Sequence, residues 1–154
     1  MMLTTKGRYA VMAMVDIAMH GNNTPVSVAD IAARQDITVP YLEQIFAQLR
    51  RSGLVKSVRG PGGGYLLVRP VDETRVSDIV LAVDEPIKMT RCREGGGAGC
   101  LSDKSRCLTH DLWEGLGQQI YQYLRAVTLA DICARRVPVA LQQDSAFRIR
   151  AEGC

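Results

Sequence analysis

The sequence predicts a mainly α chain with a small β-hairpin: a winged helix-turn-helix followed by a long dimerisation helix. Three observations carry that prediction. Two short amphipathic patterns stand close together between Ser27 and Gly53, as in a helix-turn-helix. Directly after them, the strand-like runs LVKSV and GYLLV flank the turn Arg59-Gly60-Pro61-Gly62-Gly63-Gly64, which makes a hairpin with an exposed tip. Further on, Leu112, Trp113, Leu116, Ile120, Tyr123, Leu124 and Val127 hold an apolar stripe at helical spacing.

Taken in order, Tyr9, Met12, Val15, Ile17 and Met19, with Ala10, Ala13 and Ala18 between them, predict a first helix from near Thr5 to Gly21-Asn22-Asn23. Ser27, with Asp30 three residues on, is a good N-cap for a second helix that stops near Gln35-Asp36. Thr38 can cap a third, with Pro40 in its first turn, Tyr41, Leu42, Ile45, Phe46 and Leu49 repeating at three and four, and Gly53 at its end. A short helix over Val76–Val83, headed by Ser77-Asp78, closes at Asp84-Glu85-Pro86. Thr109 or a neighbour caps the long helix, and Thr128–Arg136 adds a last short one, with Asp131 near its start and Arg135-Arg136 near its end. The tail after Pro138 has weak periodicity and mixed charge and reads as mobile. The implied organisation is a winged helix-turn-helix domain over 1–75, a ligand-binding loop and dimerisation helix over 76–137, and a flexible tail over 138–154.

With 154 residues, 47% of them apolar, the chain has room for one compact domain or a module plus an oligomerisation element, but not for two large domains. Its long stripe is wider than one winged helix covers, so packing on a second copy is the simple solution; folding back on its own domain is the competing one. The N-terminal apolar rhythm is interrupted by Lys6, Arg8 and Asp16 and lacks a cleavage site, so it reads as part of the fold. With no stretch long enough to span a membrane, the reading is a soluble, cytoplasmic protein in which clustered thiols favour metal over disulfides.

A net charge of +3 says little, but its distribution says more. From Gln44 to Val71 the cations Arg50, Arg51, Lys56, Arg59 and Arg69 face no Asp or Glu in sequence. Tyr41, Glu43 and Gln44, near the start of the third helix, are candidates for the major groove, where Gln bonds adenine N6 and N7 and Glu accepts from cytosine N4. Glu43 repels phosphate and so selects against sites without such a cytosine. Arg59 at the hairpin tip suits a minor groove, and Arg50, Arg51 and Lys56 suit phosphates. The plain alternative, a solvated charged face, explains any one of these residues but not the charge, helix order and wing together. The tip glycines match neither GxGxxG nor GxxxxGKS/T, and no helix follows them directly, which argues against a nucleotide site.

Cys92, Cys100, Cys107 and His110 have seven, six and two residues between them and make a complete four-donor shell. Gly95, Gly96, Gly97 and Gly99 let the intervening backbone bend around an ion. Such donors suit an iron–sulfur cluster with one histidine, and they suit zinc; spacing does not choose between them, and unliganded redox thiols remain a third reading. Cys133, among Leu129, Ile132 and Ala134, reads as a small buried hydrophobe, Cys154 ends the tail, and His20 reads as a cation capping the first helix.

Through LTTKGRYAV, PYLEQIFAQLR, SGLVKSVRGPGGGYLL, AVDE and CLTHDLW, within residues 1–137, the chain resembles the IscR family of iron–sulfur cluster regulators, winged-helix bacterial repressors related to nitric-oxide and redox sensors. The resemblance implies a homodimer, one 2Fe–2S cluster per subunit on three cysteines and a histidine, and repression of cluster-assembly genes, with double-stranded DNA operators and cluster-assembly scaffold proteins as partners. At matching positions it implies Cys92, Cys100, Cys107 and His110 as ligands and Tyr41, Glu43, Gln44 and Arg59 among the DNA contacts. It also implies that the cluster-free form binds a different class of site, with Glu43 as discriminator. Two features depart from the family pattern: the gaps between the first three ligands are longer than the usual five, and Pro40 stands where serine is common. Rival classes are a zinc-stabilised DNA-binding or adaptor protein and an electron carrier or thiol oxidoreductase. An electron carrier has no use for Arg59 or a wing, and no catalytic Ser/His/Asp set or carboxylate pair points to an enzyme.

Overall fold

Ala10, Ala13, Met14 and Ile17 recur three and four residues apart and are all but fully buried, which makes one face of the first helix a wall of the core. A computed structural model describes residues 5–83, 100–101 and 105–137. In chain order it contains α1 (Thr5–His20), α2 (Val28–Gln35), α3 (Val39–Arg51), β1 (Val55–Val58), β2 (Gly64–Leu67), α4 (Val76–Ala82), α5 (His110–Ala126) and α6 (Leu129–Cys133). Cys92, the glycines at 95–97 and 99, the Asp84-Glu85-Pro86 stop and the tail 138–154 lie outside the described residues.

The start of α2 follows the sequence reading. The Ser27 hydroxyl oxygen accepts the Asp30 N–H at 3.1 Å, and Ser27 donates to the Asp30 carboxylate at 2.7 Å. Asp36 then ends the helix in the left-handed conformation, with φ 53°. The start of α3 corrects it: Thr38 occupies the N-cap position, but its side chain makes no capping bond. An N-cap side chain accepts from the second or third helical N–H, and the second helical residue here is Pro40, which has none. Stability comes instead from the buried face, where Leu42, Ile45, Phe46 and Leu49 are fully buried.

The wing is a two-stranded antiparallel hairpin in register Val55↔Leu67 through Val58↔Gly64. Its tip turns at Gly60–Gly63, closed by Gly63 N–H to the Gly60 carbonyl at 2.9 Å. Pro61 fixes the second turn position and Gly62, at φ 72°, supplies the left-handed third, the chemistry of a type II turn. Tyr65 fastens the hairpin to the helices. Its backbone exchanges hydrogen bonds with Val26 at 2.8 and 3.0 Å, ahead of α2, and its ring stacks on Phe46 of α3 at 4.4 Å.

In α4, Arg75 holds the N-cap position, while Ser77 and Asp78 lie inside the first turn rather than ahead of it. The long helix α5 ends one residue short of the stripe that predicts it. Val127 is extended, accepts the Val76 N–H at 3.0 Å and is buried with Val76 and Val80. Thr109 stands at the N-cap of α5 without a capping bond, its hydroxyl 3.6 Å from Cys107 Sγ. The last helix is shorter than the expected Thr128–Arg136. A capping box between Thr128 and Asp131 starts it, and Arg135, left-handed at φ 54°, lies beyond its end. Leu129 carries α6 into the same core as α1. Among the described residues no helix is long and apolar enough to cross a membrane.

Candidate nucleic-acid interface and metal-binding segment

Helix α3 is amphipathic with four buried apolar residues on one side, so Glu43 and Gln44 necessarily face outward, and both are exposed. Tyr41 is half-buried, packed edge-on against Tyr9 of α1 with ring centroids 5.8 Å apart. Arg50 and Arg51 are exposed in the last turn of α3, where the helix dipole also favours them. Lys56 is exposed on β1 and Arg59 is exposed at the wing tip. Helix end and wing thus present the basic set at the surface, with Glu43 and Gln44 exposed at the helix start and Arg69 drawn aside to Asp78 at 3.8 Å.

The sequence reading missed the group that ties α2, the first helix of the pair, to α1. Asp16 is 1% exposed. Its carboxylate accepts from Arg34 Nη2 at 2.7 Å, from Arg34 Nε at 3.1 and 3.2 Å, and from Gln35 Nε2 at 2.8 Å. Burial alone pushes an acid upward; hydrogen bonds from Arg34 and Gln35, with the charges of Arg34 and His20, outweigh it and hold Asp16 below the usual carboxylate range. His20 Nδ1 lies 2.9 Å from the Asp16 carbonyl oxygen, which agrees with a capping role. A charged residue inside the apolar face of α1 was the available signal.

Of the four predicted donors, Cys100, Cys107 and His110 are described. His110 opens α5 and is 6% exposed, although most residues around it are exposed. Cys100 Sγ lies 3.1 Å from His110 Nδ1, so a thiol ten residues upstream is brought onto the imidazole. Cys107 is half-buried one turn before α5. Cys100, Cys107 and His110 do not draw all three donor atoms within 4.8 Å of one another; His110, Asp111 and Glu114 do. The other imidazole nitrogen, Nε2, lies 3.4 Å from Glu114 Oε2, a partner missed in the sequence although four residues along a helix is the spacing that brings side chains together. Cys133 is half-buried and its thiol is pushed up by burial, in keeping with a packing role.

A helix-turn-helix braced by α1, followed by a two-stranded wing docked on the third helix, defines a winged-helix DNA-binding transcriptional regulator. Comparison with known proteins makes this specific. The chain belongs to the Rrf2 family of iron-dependent transcriptional regulators, whose pattern matches residues 3–135. It is 48% identical to the HTH-type transcriptional regulator IscR of Pectobacterium carotovorum subsp. carotovorum over 155 aligned residues, covering 99% of this chain and 93% of that relative. Among solved structures it is similar to IscR of T. potens, with TM-score 0.70, 35% identity and 96% and 97% of the two chains covered. It is also similar to CymR, the global cysteine regulator of B. subtilis, with TM-score 0.72, 30% identity and coverage of 88% and 98%. The protein is a transcriptional regulator of this family and not an enzyme. Because CymR is named for cysteine control, the shared fold alone does not assign an iron–sulfur cofactor.

Proposed function

We propose that this regulator senses iron–sulfur clusters and represses cluster-assembly genes, with occupancy of a 2Fe–2S cluster, one per subunit, controlling operator choice. The observation that carries the reading is the approach of Cys100 Sγ to the buried His110 Nδ1 at 3.1 Å. The donor set fits such a group. Three thiols and an imidazole are the donor types that such a cluster takes when histidine replaces cysteine, and Cys100 already lies against the imidazole. Cys92, Cys100, Cys107 and His110 would hold the group, which when bound supplies a one-electron centre and ties these segments together.

The remaining work belongs to the chain. Gln44 and Glu43 read base edges, with Tyr41 beside them; Arg59 enters a minor groove; Arg50, Arg51 and Lys56 position the duplex through phosphates. Leu112, Trp113, Leu116 and Tyr123 leave an exposed apolar face along α5, with Leu112 63% exposed, and this face is the one on which two copies join in a homodimer. The three regions, 1–75, 76–137 and 138–154, then serve as reader, sensor-dimeriser and tail. Ordering of the ligand segment at the start of α5 biases the spacing of the two α3 helices. Acting on chromosomal operators, the protein works in the cytoplasm, with cluster-assembly scaffold proteins as donors.

Zinc is the second reading, favoured by the His110, Asp111 and Glu114 group, whose oxygen and nitrogen donors suit it. Anaerobic isolation with iron, sulfide and zinc analysis separates the two: equal iron and sulfide in a coloured protein supports the cluster, zinc in a colourless one overturns it. On DNA, Glu43→Ala is expected to let cluster-free protein bind sites otherwise restricted to the cluster-bound form. Equal exclusion before and after the substitution counts against that role.

A further inference from the structure

We infer that Glu114 is a positioning residue for His110: its carboxylate fixes the imidazole proton on Nε2 and so reserves the Nδ1 lone pair for the metal-binding donor set. The inference rests on the cluster reading above and goes beyond it, because that reading names the ligands but not what aims them.

Two contacts of the ring decide where its proton sits. His110 is buried, so water does not satisfy its nitrogens freely. A neutral imidazole has one N–H and one lone pair, and its neighbours decide which nitrogen has which. Nδ1 faces the Cys100 sulfur at 3.1 Å, and Nε2 faces Glu114 Oε2 at 3.4 Å. A carboxylate oxygen accepts and cannot donate, so the proton belongs on the Nε2 side. The lone pair is then on Nδ1, turned toward the thiol. Metal-binding histidines are commonly oriented in this way by a carboxylate on the far nitrogen, and loss of such a partner weakens metal affinity by about 10- to 100-fold.

Helix geometry selects Glu114 over the nearby acid. Residues four apart on a helix share a face. Asp111 also comes within 4.8 Å of a ring nitrogen, but its side chain is 87% exposed and its carboxylate pairs with Arg106 at 3.5 Å. Glu114 is the less exposed of the two, at 43%, and makes the ion-pair contact with the ring.

The test uses the full chain, isolated without air, reduced, and carrying histidine labelled with nitrogen-15 at Nδ1 alone. Pulsed electron paramagnetic resonance of the unsubstituted protein is expected to show the label strongly coupled, as a directly bound nitrogen. Glu114→Gln, whose side-chain oxygen still accepts from Nε2–H, keeps that pattern. Glu114→Ala gives a mixture of bound nitrogens and loses iron to a chelator about tenfold faster. A strongly coupled Nε2 in the unsubstituted protein overturns the inference, as do wild-type spectra and release rates in Glu114→Ala; both leave the cluster assignment standing. A reduced, unsubstituted protein with no cluster signal overturns the proposed function and this inference with it.

Discussion

Asp16 sits in the apolar face of α1 and remains acidic because Arg34 and Gln35 reach it from α2. Asp16→Asn keeps the shape but gives up the charge-assisted bonds, and is expected to cost about 1–3 kcal/mol in chemical denaturation. The sign with pH follows from its lowered value. The contribution is complete above the unfolded carboxylate range, about 4, and is lost as pH falls through the lower folded value; the Asn variant should lack this acid-side slope. An Asn variant with wild-type stability and acid slope would show that the bonds contribute nothing net. For DNA reading, Gln44→Ala should cost about 1–3 kcal/mol at one base position, while Arg50→Ala weakens all sequences alike and lowers the salt slope by about one. Anisotropy titrations over single-base operator variants at several salt concentrations check both. The sequence exposes Gln44 through the phase of its helix. It hides the partners of Asp16, eighteen and nineteen residues away, because that contact depends on how α2 crosses α1.

At the scale of elements, what was legible followed from local chemistry. The capped start of α2, the apolar face of α3 and the glycine turn of the wing each depend on neighbours in the chain. The starts of α3 and α5 fall at the capping residues read from the sequence, Thr38 and Thr109, but without the capping bond: Pro40 removes a donor in one case, and Thr109 lies against Cys107 in the other. Tyr65 was legible as a strand residue but not as the clamp that joins wing and helices, since Val26 and Phe46 meet it only through tertiary packing. Gly64 shows how tight that joint is: a Cβ there would collide with the Val26 carbonyl. Gly64→Ala is therefore expected to destabilise by about 1–3 kcal/mol and to weaken DNA binding through the displaced wing. Thermal unfolding and operator binding measured together check it; an unchanged Tm would show that the strand can shift without strain.

For the whole molecule, the stripe divides between the two readings the sequence left open: Leu124 and Val127 pack on Val76 and Val80 of this chain, whereas Leu112, Trp113, Leu116 and Tyr123 are exposed along α5. Leu112→Asp with Leu116→Asp should give a monomer in sedimentation and weaken operator binding by 100-fold or more, roughly the loss of one of two linked half-site contacts. An unchanged dimer would place the joint elsewhere. The donors were legible as residue types in order, and the approach of Cys100 to His110 was not, because spacing along the chain does not fix a contact ten residues apart. The central claim is that this segment's occupancy decides where the regulator binds. Its most direct test is one anisotropy series, anaerobic and at fixed salt, on operators selected by the cluster-bound protein, before and after the cluster is removed. The account predicts at least a tenfold loss of affinity on removal, with Cys107→Ala behaving as the cluster-free protein throughout. Superimposable isotherms for all three would contradict it.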